Sequence, residues 1–429
     1  MTHLVPVLRP VLGSPFRRAS LYRAAGEIPS WHIAPVRTGT VTDLISGSQI
    51  ITFTNSSPAW GFNSSGVLVQ PTSNVPFIEY DPATGACLGW RVWDGVTNLL
   101  VRSEEFDNAS WLKTRATVTT NAEQSPSGAT TADRLIASTD ANTHSALQSY
   151  TFSAGSHTFS IFCKDAGYPR VRLLIFDGTT SFAVIFDIAT ATSISTLGPV
   201  TSFAVTRAGQ GYVRCSITVT AAAGAGNVSV RPVNSAGTDN FAGDGTSGIA
   251  IWGAQLNTGP LAPYVPTGAL TASSTADVAS ITGAAFAGIW NQAGTTVYSD
   301  IKRLSAVPSG FPRAWQASDG TSVNRIEQTY YSGGQVCSIA ASGVNQAEWY
   351  PAYFAENGVK AALAFATNDV AGASNGVITG TDNLATIPAV DRIFIGSENG
   401  SANSLRGYIR EMAINKSRRP NANLQAMTP

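Results

Sequence analysis

Charge is what this chain has least of. Asp, Glu, Lys and Arg make up 13% of its 429 residues, about half of the ~25% usual in soluble domains, so its surface is built from hydroxyls and small side chains rather than ion pairs. Lys plus Arg and Asp plus Glu are both 27, which removes any general electrostatic reason to bind nucleic acid. Cysteine is as sparse. Cys87, Cys163, Cys215 and Cys337 are far apart with no C-x-x-C pair, which argues against a disulfide or zinc framework and for buried thiols. No apolar run approaches the ~18 residues of a membrane span, and the N-terminus lacks the order of a signal peptide. A soluble protein, made in a cytoplasm and not exported by the usual route, is expected.

Catalytic motifs are missing too. There is no H-E-x-x-H, P-loop or dinucleotide fingerprint. One G-x-S-x-G occurs, Gly372 to Gly376, but His3, His32, His144 and His157 all precede Ser374, whereas a nucleophile elbow needs its histidine downstream. No repeat of 20 to 50 residues is present, which counts against a parallel β-helix.

What the chain does have is β texture in blocks. Residues 1–48 carry Pro6, Pro10, Pro15, Pro29 and Pro35, and Arg9, Arg17, Arg18, Arg23 and Arg37 against the single acid Glu27. Prolines this close disfavour long helices and inner strands. Such a segment must order against a neighbour, and a docking arm is expected. Residues 49–95 alternate short apolar runs with turns such as Asp81–Gly85, predicting a small β attachment module. From 96 to 268, Val171, Leu173 and Ile175 alternate with Arg172, Leu174 and Phe176, and Cys215, Ile217 and Val219 alternate with Arg214, Ser216 and Thr218. Seven or more strands of period two predict a sandwich with one buried face per sheet. Small residues from Gly268 to Thr275 read as a linker, and 269–429 supply further strands. The fold class expected is all-β: multi-domain β-sandwiches with an irregular N-terminal arm.

Asn63–Val67, Asn74–Pro82 and Thr97–Trp111 resemble a segment common in tailed-bacteriophage virion proteins, with departures at Asn55–Ser57 and Trp90–Asp94. Gly243–Thr267 resembles the last strand and exit of carbohydrate-binding-module-like jelly rolls in phage tail and fibre proteins, and Asp391–Gly396 with Leu405–Glu411 resembles the closing strands of a laminin-G or concanavalin-like sandwich. The resemblance implies a structural virion protein, of tail fibre, tail tip or head. Its N-terminal region would dock on other virion proteins, it would act as a homotrimer, and its sandwiches would project from the virion surface toward host cell-surface glycans. It also implies a structural calcium where the first jelly-roll strand meets the last, with Glu104, Glu105, Asp107, Asp244 and Gln255 as candidate ligands; Asp107–Asn108 equally suits a turn.

Two rival readings stand beside receptor binding. One is capsid head decoration. The other is a polysaccharide depolymerase using paired carboxylates from Glu104, Glu105, Asp107 and Glu327 or Glu348; solvated acids explain these residues more simply, and no enzyme is expected. For glycan binding, aromatic faces and convergent polar groups are required. Trp349, Tyr350 and Tyr353, with Tyr330 and Tyr331 upstream, form the densest aromatic group, although strand alternation would turn half of those rings inward.

Overall fold

The computed structural model describes residues 15–304, 310–331, 334–349, 358–400 and 402–429. Two β-sandwiches account for nearly all of these residues, and every strand pair in them is antiparallel. The molecule is all-β, with four short helices among the described residues.

One sandwich is continuous in sequence. Its first sheet runs, in order, 192–197, 181–187, 170–176, 224–233, 145–152 and 112–114; its second runs 202–207, 213–221, 155–166, 248–258, 132–137 and 116–123. Between them lie Phe159, Ile161, Leu173, Ile175, Cys215, Ile217, Val230 and Leu256, all fully buried. The period-two pattern of 170–176 places Leu173 and Ile175 inward because successive side chains of a strand leave on opposite faces.

In the 155–166 strand the alternation fails as a guide to burial. Ser160 and Phe162 point away from that core and are nevertheless at 0% exposure. A second apolar layer explains this: Trp60, Phe62 and Leu68, from the segment before the sandwich, close over Phe162, Tyr212, Trp252 and Tyr264 on the outer face of the second sheet.

The other sandwich, here called the base, is assembled from both ends of the chain. One sheet has the order 52–54, 278–282, 392–395, 313–318, 325–331, 334–341 and 344–349. The facing sheet runs 377–382, 369–374, 359–366, 295–303, 407–415, 87–92 and 78–80, and Trp31–Ile33 pairs with the far end of 407–415. Trp31 lies opposite Ile414, and Trp90 lies opposite Ile409. Both indoles are fully buried beside Phe53, Trp315, Ile393 and Met412.

These pairings correct the expectation of a separate arm and attachment module. Within 15–95 no independent unit forms: the segment that lacks the apolar surface to fold alone completes the sheet of the last strands instead. The arm also contains an 11-residue helix, Pro15–Ala25, begun at a proline, where the missing N–H is harmless. Pro6, Pro10 and Arg9 lie outside the described residues.

The continuous sandwich is therefore an insertion into the base. Its entry and exit are held together where Thr97 and Asn98 pair with Ser273 and Ala272. Asn98 is fully buried and fully satisfied. Its amide donates to Ala254 O at 3.0 Å and Val265 O at 2.9 Å, and its Oδ1 accepts from the N–H groups of Leu100 and Leu256, both at 3.2 Å. A buried amide lacking these partners would cost about 1–3 kcal/mol. The Thr97–Trp111 stretch then turns into the inserted core, where Phe106 packs on Trp111 and the indole N–H donates to Arg102 O at 2.9 Å.

Candidate functional site

The aromatic group singled out in the sequence does not form an exposed platform among the described residues. Tyr330 is on the core side of its strand, fully buried, with its hydroxyl accepting from Gln328 Nε2 at 3.0 Å and Arg303 over its ring. Burial raises that hydroxyl far above the usual tyrosine range. The expectation that it presents a face to sugar is therefore corrected. Trp349 is half-buried and packs toward the base core. A Cβ at position 380 would lie 1.5 Å from Trp349 Cδ1, so only Gly380 lets the indole lie flat on the neighbouring strand. Tyr350, Tyr353 and the side chain of Tyr331 lie outside the described residues.

The five candidate calcium ligands are likewise engaged elsewhere. Glu104 Oε1 accepts from the Tyr264 hydroxyl at 2.8 Å, and burial raises its carboxyl above the ordinary range. Glu105 pairs with Arg102 at 2.8 Å. Asp107 is exposed, and its carbonyl accepts from Lys113 Nζ. Asp244 caps its own turn through Thr246 N, Ser247 N and Ser247 Oγ, bonds that hold its carboxyl below the usual range. Gln255 accepts from Val265 N and donates to Pro263 O. Each serves a different local partner, and among the described residues no three His, Cys, Asp or Glu side chains converge. The set corrects to turn caps and hydrogen bonds within the inserted sandwich.

Glu327 and Glu348 do share a cleft of about 360 Å³ on the outer face of the base, with Phe311, Arg313, Arg325 and Ser338. Glu327 lies opposite Ser338, which lies opposite Glu348, so the two acids stand two strand spacings apart, roughly 10 Å. Glu327 is 2% exposed and saturated. It accepts from Arg313 Nε (2.8 Å), Gln316 Nε2 (3.0 Å), Arg325 Nε (3.0 Å) and Ser338 Oγ (2.9 Å). Burial alone would raise its carboxyl, but Arg313 and Arg325 outweigh burial and hold it below the ordinary range. An acid so held has no proton to donate and no free lone pair for a water. The cleft is a closed ionic lattice.

Ser374 ends the strand Asp369–Ser374, and Asn375–Gly376, both at positive φ, turn directly into Val377–Asp382. That is a two-residue hairpin of the Asn-Gly kind, not a strand-to-helix elbow. Its hydroxyl donates to Lys360 O.

A different arrangement appears at the end of the inserted sandwich. A groove of about 440 Å³ is lined by Ser149, Tyr150, Thr151, Phe176, Gly226 and Asn227. Register places Ser149 and Phe176 on either side of Asn227, and Tyr150 opposite Gly226. Only glycine fits at 226, since a Cβ there would lie 1.9 Å from Phe176 O. Tyr150 stands edge-on to Phe152 at 4.9 Å, and burial raises its hydroxyl above the usual range. The side chains of Ser149, Thr151 and Asn227 and the Tyr150 hydroxyl make no hydrogen bond within the described residues. Ser149, Thr151, Phe176 and Asn227 stand on the outer face of their sheet, one ring beside one amide and two hydroxyls, while Tyr150 packs inward on the core with Phe152. Sequence reading missed this groove because its residues come from three strands; the Ser-Tyr-Thr run at 149–151 is its one local signal.

No family model and no curated protein matches the chain. Among solved structures, it is similar to the CBM40 of a Ruminococcus gnavus IT-sialidase bound to α2,3 sialyllactose (15% identity, 32% of this chain, 84% of that one, TM-score 0.29). It is also similar to domain 4 of AbnA, a GH43 arabinanase from Geobacillus stearothermophilus, in complex with arabinotriose (12%, 40% and 84%, 0.30). A Trypanosoma rangeli sialidase is similar over a longer span (12%, 73% and 62%, 0.29). Likenesses of this depth assign neither a ligand nor an activity to this chain, which stands on its own geometry as an all-β protein of two sandwiches, one inserted in the other.

Proposed function

We propose that this protein is a non-catalytic, glycan-binding component of a tailed-phage virion, with the base facing the particle and the inserted sandwich facing the host. The observation that carries the binding reading is the groove at Ser149, Phe176 and Asn227. The Phe176 ring, for the apolar side of a pyranose, stands beside the Asn227 amide and the Ser149 and Thr151 hydroxyls, whose side chains make no hydrogen bond among the described residues. The resemblance of Asn63–Val67, Thr97–Trp111 and Gly243–Thr267 to phage virion segments supports the virion setting. One small open groove binds weakly, so adhesion would rest on several copies in a trimer acting through effective concentration.

The test is a glycan array with the whole protein, repeated with Phe176→Ala and Asn227→Ala. Binding should fall about tenfold or more in each, in line with the loss of roughly 1–2 kcal/mol of ring and hydrogen-bond contact. Undiminished signal in both variants would remove the groove from the proposal. Release of new reducing ends from a bound polysaccharide would make the protein a depolymerase, and failure to compete with phage adsorption, together with location on the capsid, would favour decoration.

A further inference from the structure

A cavity of about 480 Å³ lies on the outer face of the base sheet that contains the strands 295–303, 359–366 and 407–415, bounded by the helices Pro15–Ala25 and Asn421–Met427. Register sets its floor. Lys360, Asp300 and Glu411 lie directly opposite one another on three neighbouring strands, so their side chains leave on one face, and Tyr298, two residues before Asp300, leaves on the same face. A bulge after Asp300 makes Arg410 an extra residue on its strand, and Arg410 and Glu411 both line the cavity although they are consecutive. Leu21 and Met427, one from each helix, supply an apolar wall.

The polar groups of this floor are unevenly used. Glu411 is held by His32 at 2.8 Å and by Arg37 at 2.5 Å. Asp300 makes no hydrogen bond among the described residues; its one ion pair there, to Arg410 Nη1, is long at 3.7 Å, and its side chain, 12% exposed, lines the cavity. The Lys360 ammonium has neither hydrogen bond nor ion pair, and the Tyr298 hydroxyl has no hydrogen bond, among the described residues. Three cations, Arg37, Lys360 and Arg410, thus stand against two acids, Asp300 and Glu411. The excess is a single positive charge, beside a carboxylate whose lone pairs lack a donor. One anionic group answers the first need and a hydroxyl answers the second. A phosphate dianion would exceed the one charge available and press on Asp300 and Glu411, whereas a neutral polyol would leave Lys360 unmatched.

We propose that this cavity binds a small hydroxylated carboxylate, its carboxylate on Lys360, a neighbouring hydroxyl donating to Asp300, and the Tyr298 hydroxyl donating to the ligand. Two sources carry that chemistry: the uronate residue of an acidic glycan and a free sugar acid. The inference stands apart from the groove of the inserted sandwich and does not rest on it.

Calorimetry on the full chain at about pH 8, where Asp300 is charged, tests it, with Phe176→Ala as the background so that the groove contributes nothing. Methyl glucuronide should bind about tenfold more tightly than methyl glucoside, which lacks the carboxylate, and than cyclohexanecarboxylate, which lacks the hydroxyls. Gluconate bound as well as methyl glucuronide would assign the site to a free sugar acid, and gluconate bound more weakly would assign it to a glycan residue; both support the chemistry. Lys360→Met keeps the stem and should weaken methyl glucuronide about tenfold while leaving methyl glucoside unchanged. Asp300→Asn should strengthen cyclohexanecarboxylate, by removing a repelling charge, and narrow its gap to methyl glucuronide, a change of opposite sign that loss of fold cannot produce. Equal affinity for methyl glucuronide, methyl glucoside and cyclohexanecarboxylate, tighter binding of inorganic phosphate than of any of them, or an unchanged profile in both variants would overturn the site. Array binding undiminished by Phe176→Ala would refute the groove and leave this cavity standing; the reverse pattern would refute this inference alone.

Discussion

The two sandwiches fasten their polar groups differently. In the inserted one, buried acids are held by nearby backbone: Asp177 accepts from the N–H groups of Thr179 and Thr180, and Asp133 from those of Phe106 and Asn121. In the base, three acid–arginine pairs join the two ends of the chain. Arg37 pairs with Glu411, Asp94 with Arg406 and Glu27 with Arg419. The inserted sandwich thus closes on itself, while the base closes only when residues before 95 meet residues after 400. Ion pairs at a partly exposed surface add little stability each. Their placement matters more: they seal a sheet already joined at Trp31–Ile33 and Cys87–Val92.

The largest effect should come from removing residues 1–48. Without Trp31, Ile33 and Val41 the base loses a paired strand and part of its core, and a buried Trp or Ile is worth about 2–5 kcal/mol. We expect the base to unfold and the inserted sandwich, residues 97–273, to survive as a protease-resistant fragment with its own thermal transition. Loss of both transitions would mean that the segment Trp60–Leu68 couples the two sandwiches into one cooperative unit.

Glu327→Ala comes next. It leaves Arg313 with Glu398 alone and Arg325 without its acid over a buried site and should cost the base about 3 kcal/mol while leaving the inserted transition in place. A shift below about 1 kcal/mol by chemical denaturation would show that the cleft is better hydrated than its burial implies, and would reopen it as a ligand site.

The smallest expected effect has the opposite sign. Asp300, opposite Glu411 in register, has its carboxyl pushed up to about 6 by burial, against the partial relief of Arg410. Below pH 4 both folded and unfolded chains carry the proton and the site is neutral to stability. Between pH 4 and 6 the unfolded chain releases a proton that the folded chain keeps, so stability falls as pH rises, by up to about 3 kcal/mol in total. Asp300→Asn should therefore stabilise the base by up to that amount at pH 8, less the lost contact with Arg410, and change nothing at pH 4. Equal effects at both pH values, in paired melting curves, would mean that packing rather than charge sets the change.

Much of the β architecture is readable from side-chain period alone. Val171, Leu173 and Ile175 announce a buried face because nothing beyond their own sheets is needed to bury it. Phe162 could not be read so, since what covers it, Trp60 and Leu68, lies about ninety to a hundred residues earlier. The same non-locality hid the base: Trp31 and Ile33 look like a poor strand until Met412 and Ile414 are placed beside them. The candidate sites were harder still. Counting aromatics found Tyr330 and Trp349 but not their direction, whereas the groove exists only where 149, 176 and 227 are neighbours.

The paired entry and exit at Thr97–Asn98 and Ala272–Ser273 have a mechanical meaning. A pull on the inserted sandwich reaches the base through two covalent chains side by side, drawn in the same direction, so tension is shared between them and the bonds that pair them are not sheared. Force applied at the far tip crosses the inserted sandwich and enters the base through both crossings at once.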